Sequence, residues 1–331
     1  MKAEALGGDA LTAEAIEGAI LAQTIEDPGD HHRALLLKGR RLSAQDLELV
    51  RRAGVRELHV VRMDPGDVHE DQAVFGPVES QMRLGADTNG ILQIDVEALN
   101  ALNAIDDVSI FTLFDGQLVS QGKTVAGVKV TPFVVAEVRL RQAERVAGPS
   151  GGVVRVLRFR SMRVAVLVRE RLDAAQRQRF QESIEMKVAW FGSRVQAIRY
   201  VADDPAQVAE ALAGLAQDAD LVLTAGANAT DPLDPTLLAL SRIGARMERQ
   251  GAPAHPGSAV WLAYLGEMPI FGVAACGMFS KATVLDLLLP RLFSGVRLSA
   301  RDFAGLGHGG LLSRDMAFRF PPYGGWDRLD G

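Results

Sequence analysis

Cysteine is nearly absent from this 331-residue chain. Cys276 stands alone, so no disulfide can close within it, and a reducing, cytoplasmic setting is expected. Aromatic residues make up 6%, too few for the stacking platforms of a single-stranded nucleic-acid binder. Cations do not dominate either. Lys and Arg number 36 against 41 Asp and Glu, and a net charge of -5 argues against a nucleic-acid partner. No apolar run reaches the roughly 18 residues of a membrane span. The first residues include Glu4, Asp9, Glu14 and Glu17 instead of a basic-then-apolar export signal. Several catalytic signatures are also missing: G-x-G-x-x-G, the phosphate-binding G-x-x-x-x-G-K-[ST], G-x-S-x-G and H-E-x-x-H. No cluster of residues has the spacing of a zinc site.

What remains is long enough, at 48% hydrophobic, to bury the cores of two domains or three. Residues 1–160 read as a mixed α+β, partly β-rich accessory region. A short amphipathic helix is expected around Leu11 to Ile20, followed by a polar loop at 27–33 that holds His31 and His32. Ser43 caps a helix over 44–53. Asp67, Glu70 and Asp71 form either the polar start of a helix or a cation site. Asp95 caps a helix to Asn103. Short β segments follow at 108–113, 117–120, 124–130 and 133–138, with another at 153–159. Arginines crowd 139–179, including Arg163, Arg169, Arg171 and Arg177. They are either a solvated face or a surface for phosphate or a protein partner.

From Arg163 the pattern changes. Strands are expected at 164–168, 196–201, 221–224 and 270–274, alternating with helices over 173–192, from 205, from 234 to 244 and over 281–294, the last capped by Ser280. Such alternation predicts an α/β domain over 161–300, a mostly parallel sheet with helices on both faces, and then a C-terminal tail, 301–331. The stretch Leu221 to Thr236 stands out. A strand ends in small residues, and Asp234-Pro235 is a helix start with an N-cap and a proline in first position. Ligands bind beyond the carboxyl ends of strands in such sheets, and helix starts favour anions. The loop is therefore either an anion cradle or simply a tight connection. His255-Pro-Gly-Ser258 and Ala274 to Lys281 are two further small-residue loops. Cys276 is either a reactive thiol near a helix start or a buried small side chain. Asp234 either holds a cation or only caps its helix.

Residues of about 162–295 resemble the molybdopterin-binding domain of molybdenum-cofactor biosynthesis proteins of the MogA/MoaB and MoeA type. Leu223-Thr-Ala-Gly226 through Asp234 looks like that family's strand, T-G-G loop and aspartate. Pro256-Gly257 and the strand, loop and helix from Ile270 to Ser294 look like its later elements. Leu37-Lys-Gly-Arg and Leu42 to Leu47 are similar to the accessory region of MoeA-like members. The resemblance implies a MogA/MoaB-like three-layer fold that binds molybdopterin or the molybdenum cofactor. Thr224, Gly226, Ala227, Asn228, Thr230, Asp231, Pro256, Gly257, Ser258, Cys276, Gly277, Ser280 and Lys281 would line the site. Asp234 would act in any catalysis and hold Mg²⁺. The chemistry of active members is adenylyl transfer to molybdopterin or molybdenum insertion. A homo-oligomer is implied, with a molybdoenzyme or cofactor nucleotidyltransferase as partner. Ala227, Leu233 and Ala274-Ala275 depart from the family's glycine, arginine and Pro-Gly. These departures favour a non-catalytic carrier or chaperone. A nucleotide-pyrophosphate hydrolase on a related domain is a third reading.

Overall fold

A computed structural model describes residues 2–70, 81–148, 152–169, 171–227 and 230–323. Asp71, Asn228, Ser150 and the last eight residues lie outside the described residues, and with them parts of the expectations above. The chain forms two compact units. One comprises Met1–Gly85, Ile94–Leu113 and Thr124–Arg155; the other comprises Ala86–Gln93, Phe114–Lys123 and Val156–Gly331.

The first unit is β-rich with short helices. Glu57–Arg62 lies between Lys2–Gly7 and Ile20–Leu21, antiparallel to both. Ile16, Leu21, Val50, Leu58 and Val60 fill its core. The expected N-terminal helix shrinks to one turn, Ala13–Ile16, capped by Thr12, because Gly18, at positive φ, follows it and Ile20–Leu21 is drawn into the sheet instead. His32 lies in the strand Asp30–Leu36, which pairs with Ile25–Asp27; hairpin pairing overrides the polar-loop pattern there. Asp67 likewise begins no helix. It opens the strand Asp67–His69, which pairs with Val134–Ala136. Asp46 accepts hydrogen bonds from the Ser43 backbone N–H and hydroxyl, so the helix starts at Asp46 instead of 44. Helix Val96–Asn103 is capped by Asp95 as its sequence predicts. Glu137–Ala147 forms a helix that the arginine-rich composition concealed; Arg141 pairs there with Glu137 and Glu144 on a solvated face.

The second unit is built on a six-stranded sheet. Its order is Arg194–Tyr200, Arg163–Val168, Leu221–Ala225, Met268–Val273, Trp261–Leu265 and Arg246–Gln250. The first four strands run parallel; the last two are joined antiparallel. The sheet is thus mixed, and antiparallel pairings outnumber parallel ones across the described residues. The expectation of a mostly parallel sheet missed the edge. Gly266, at positive φ, turns Trp261–Leu265 straight back into Met268–Val273, leaving no room for a crossover helix.

The period of two sorts the central strands into two faces. Val164, Val166, Val168, Leu221, Leu223 and Ala225 pack with Phe180, Ile184 and Val188 of helix Ala174–Trp190 and with Leu288 and Leu292 of helix Val284–Phe293. Ala165, Leu167 and Val222 face Val208 and Leu212 of helix Pro205–Ala216 and Leu240 of helix Pro235–Arg242. Each fully buried leucine or valine contributes about 1.5–3 kcal/mol by leaving water. The tail is part of this core: Phe303, Leu306, Phe320 and Tyr323 pack against it. Gly272 shows how close the packing runs. A Cβ there would come within 2.1 Å of the Trp261 indole.

Candidate functional site

Arg163–Val168 has a parallel neighbour on each side, Arg194–Tyr200 and Leu221–Ala225. The helix after Arg163–Val168 packs on one face of the sheet and those after Arg194–Tyr200 and Leu221–Ala225 on the other. In open α/β sheets, ligands bind at the carboxyl ends of strands where the connections part in this way. Arg169 stands there, the first residue after its strand. Its backbone N–H donates to the Ala225 carbonyl (3.0 Å), which extends the parallel ladder by one step. Its side chain is 8% exposed. The guanidinium donates to the carboxylates of Asp203 and Asp234 and to the Gly226 carbonyl, the last at 2.6 Å. Gly226 has φ +91°, a conformation that suits glycine as the chain turns out of the strand.

Asp234 is 3% exposed. One carboxylate oxygen accepts from the Thr236 N–H at 2.8 Å, as an N-cap should, with Pro235 in the first helical position; the other accepts from Arg169. The helix start therefore carries its own anion. Asp231 is exposed and shapes the turn before it: its side chain accepts from the Leu233 N–H and its carbonyl from the Asp234 N–H. Ala227 packs at the edge of the core, and Thr230 is exposed. Beneath this loop, two buried polar atoms have no hydrogen-bond partner among the described residues: Thr224 Oγ1 and Arg169 Nε. Buried polar groups are nearly always paired, so two orphans flanking one strand end are a feature to be explained.

The second loop leaves Met268–Val273, the other parallel neighbour of Leu221–Ala225, at the same end of the sheet. Residues Ala275–Met278 form a 3-10 turn, and Gly277 is buried with its N–H donating to the Ala274 carbonyl (2.8 Å). Ser280 and Lys281 are exposed. Ser280 does not cap the following helix. That role falls to Thr283, which makes a capping box with Asp286, so the helix begins at Val284. Pro256 accepts from the Val284 N–H at 3.1 Å, and Gly257, at φ +106°, lies against the same turn, where a Cβ would meet Val284 N at 2.9 Å. Ser258 is exposed, and its carbonyl accepts from the Ala252 N–H.

Behind this loop lies a buried cluster with no counterpart in the sequence reading. Lys187, on helix Ala174–Trp190, is fully buried; its ammonium donates to the Ser280 carbonyl (2.7 Å) and to the Asp286 carboxylate. Tyr323 donates its hydroxyl to the same carboxylate oxygen at 2.5 Å, and its ring lies 4.7 Å from the ammonium. Burial lowers the Lys187 pKa against the opposing pull of Asp286. Burial, with the Asp286 charge adding to it, raises the Tyr323 phenol well above its ordinary value.

Mg²⁺ does not fit Asp234 as the residues stand. The carboxylate already serves a guanidinium and a helix cap, and the described residues include no group of three or more His, Cys, Asp or Glu able to hold a metal ion. A molybdopterin-type ligand fits better, since Thr224 Oγ1 and Arg169 Nε are polar atoms with no partner among the described residues.

Residues 167–294 match the family model described as the probable molybdopterin binding domain. They form a domain of that family, as the resemblance read from the sequence implied. No curated protein sequence matches the chain. Among solved structures it is similar to a molybdenum cofactor biosynthesis protein from Pyrococcus furiosus, with 12% identity over 90% of this chain and 66% of that one, at a TM-score of 0.26. It is similar to a molybdopterin biosynthesis MoeA protein from Pyrococcus horikoshii, with 14% identity over 89% and 75%, at 0.34. It is also similar to a MoaB enzyme from Thermus thermophilus, with 20% identity over 40% and 97%, at 0.31. The chain thus spans about two thirds of the length of the first of these, and likeness at such scores carries no argument about activity.

Proposed function

We propose that this protein binds molybdopterin, or the cofactor made from it, at the carboxyl end of Leu221–Ala225, and that it serves cofactor maturation or delivery as a carrier. The observation behind this reading is the pair of buried, unpartnered polar atoms, Thr224 Oγ1 and Arg169 Nε, in a domain of the molybdopterin-binding family. A pterin presents amide, amine and phosphate groups that satisfy such atoms. Exposed Lys281, on the neighbouring loop, supplies a cation for the phosphate.

The carrier role is favoured over nucleotidyl transfer by Asp234. Its carboxylate is already paired with Arg169 and bound to a helix N–H, so it is poorly placed to organise phosphate chemistry. Mass spectrometry of natively purified protein tests the binding: a bound pterin is expected. Incubation with molybdopterin and ATP, or with adenylylated molybdopterin and molybdate, tests the role. Retention without turnover is the expected result. Turnover would make the protein an enzyme. Nucleotide hydrolysis without pterin would point to the hydrolase reading.

A further inference from the structure

The three groups that receive the Arg169 guanidinium are two carboxylates and a backbone carbonyl: Asp203, Asp234 and Gly226. These are the oxygen donors that a hard divalent cation takes, and Mg²⁺ commonly uses only one or two carboxylates and completes its shell with water. They come from two loops at adjacent strand ends, after Arg194–Tyr200 and after Leu221–Ala225, and converge on one point. At that point sits a positive charge that is 8% exposed and tethered by its own backbone to the strand between them. We infer that the Arg169 guanidinium is a built-in cation that occupies the place of a divalent metal ion, so that this site holds its ligand without one.

The arrangement differs from an ordinary surface ion pair in two ways. Asp234 is 3% exposed and would be an uncompensated buried charge without its partner. The fork also carries both loops at once, since Asp203 lies 34 residues from Arg169 along the chain, Gly226 57 and Asp234 65. A metal ion bridging two loops does the same work, but it is in exchange with solvent. A tethered guanidinium is always present and always charged. Ligand binding should accordingly be indifferent to chelators.

The inference rests on reading this strand end as the ligand site, but its test uses metal alone, so it stands or falls separately from pterin binding. The full chain is titrated with Mn²⁺ and followed by the loss of free-ion EPR signal and by thermal shift. The wild type is expected to bind no Mn²⁺ that Asp234→Asn abolishes. Arg169→Ala empties the oxygen cage and is expected to gain Mn²⁺ affinity of at least about tenfold, with a cation-dependent rise in Tm that Asp203→Asn removes in the double variant. If Arg169→Ala does not fold in plain buffer, its refolding yield should recover with millimolar Mn²⁺. Three results would overturn the inference: a wild-type Mn²⁺ site lost in Asp234→Asn, a folded Arg169→Ala without Mn²⁺ affinity, or equal refolding yields with and without the ion.

Discussion

Two ion pairs buried in the second unit, Lys187–Asp286 and Arg169–Asp234, differ in how completely they are closed. Lys187–Asp286 is sealed: both side chains are 0% exposed, and the ammonium also holds the Ser280 carbonyl while Tyr323 and Thr283 complete the carboxylate. Arg169–Asp234 is open: the same guanidinium reaches Asp203, which is 64% exposed, and its own Nε, like the Thr224 hydroxyl, has no partner among the described residues. A sealed pair has nothing left to offer a ligand. It pins the 280–286 turn, and through Pro256 and Gly257 the loop beside it. An open pair retains unsatisfied polar groups at a strand end. The contrast separates scaffold from proposed site within one domain.

Breaking the sealed pair should cost most. Lys187→Met leaves Asp286 charged in the core, and removing one partner of a buried pair costs about 3–5 kcal/mol. Denaturant unfolding should show that loss as a lower midpoint at unchanged slope. A loss below about 1 kcal/mol would place Lys187 among ordinary surface-like pairs and erase the distinction.

Gly257→Ala should come next. It forces a side chain into φ +106° and within 2.9 Å of Val284 N, for a loss of about 1–3 kcal/mol by the same measurement. It should loosen the second loop while leaving the Arg169 cage intact.

The smallest effect is a pH dependence. Burial raises the Tyr323 phenol well above its ordinary value of 10.0, so the folded protein keeps a proton that the unfolded chain gives up. Its stabilising contribution is full below pH 10 and is lost as pH rises from there through the folded pKa. Lys187 acts in the opposite sense. Its lowered pKa costs stability while both states hold the proton, and that cost is relieved as pH rises toward 10.5. Tyr323→Phe should therefore flatten the fall in unfolding midpoint above pH 10. An unchanged slope would mean that Tyr323 is not sealed in.

Much of this scaffold was legible in the chain. Asp234-Pro235 announced its helix, Asp95 its own, and the apolar run of Val164 to Val168 its strand. Those signals are local. The antiparallel edge was not legible, because Arg246–Gln250 is mostly charged and shows no alternation of a half-buried strand, and a short apolar run such as Trp261–Leu265 carries no sign of the direction in which it pairs. Ser280 looked like a cap because its hydroxyl precedes an apolar run; Thr283 displaces it because only Thr283 has Asp286 three residues on. Arg169 was visible only as one arginine among many. Its partners lie 34 to 65 residues away, and nothing short of the sheet order brings them together. The Lys187–Asp286 contact spans 99 residues and was hidden for the same reason.

Thr224→Val decides most directly whether the open end of the sheet is a ligand site. The substitution keeps the shape and removes a hydroxyl that is 1% exposed and unpaired, so stability should hold or rise by about 1 kcal/mol. Pterin carried through native purification, quantified by mass spectrometry against the wild type, should fall at the same time. More stable protein with less pterin is the predicted result. Equal pterin in both proteins, or none in either, would contradict a ligand site at this strand end.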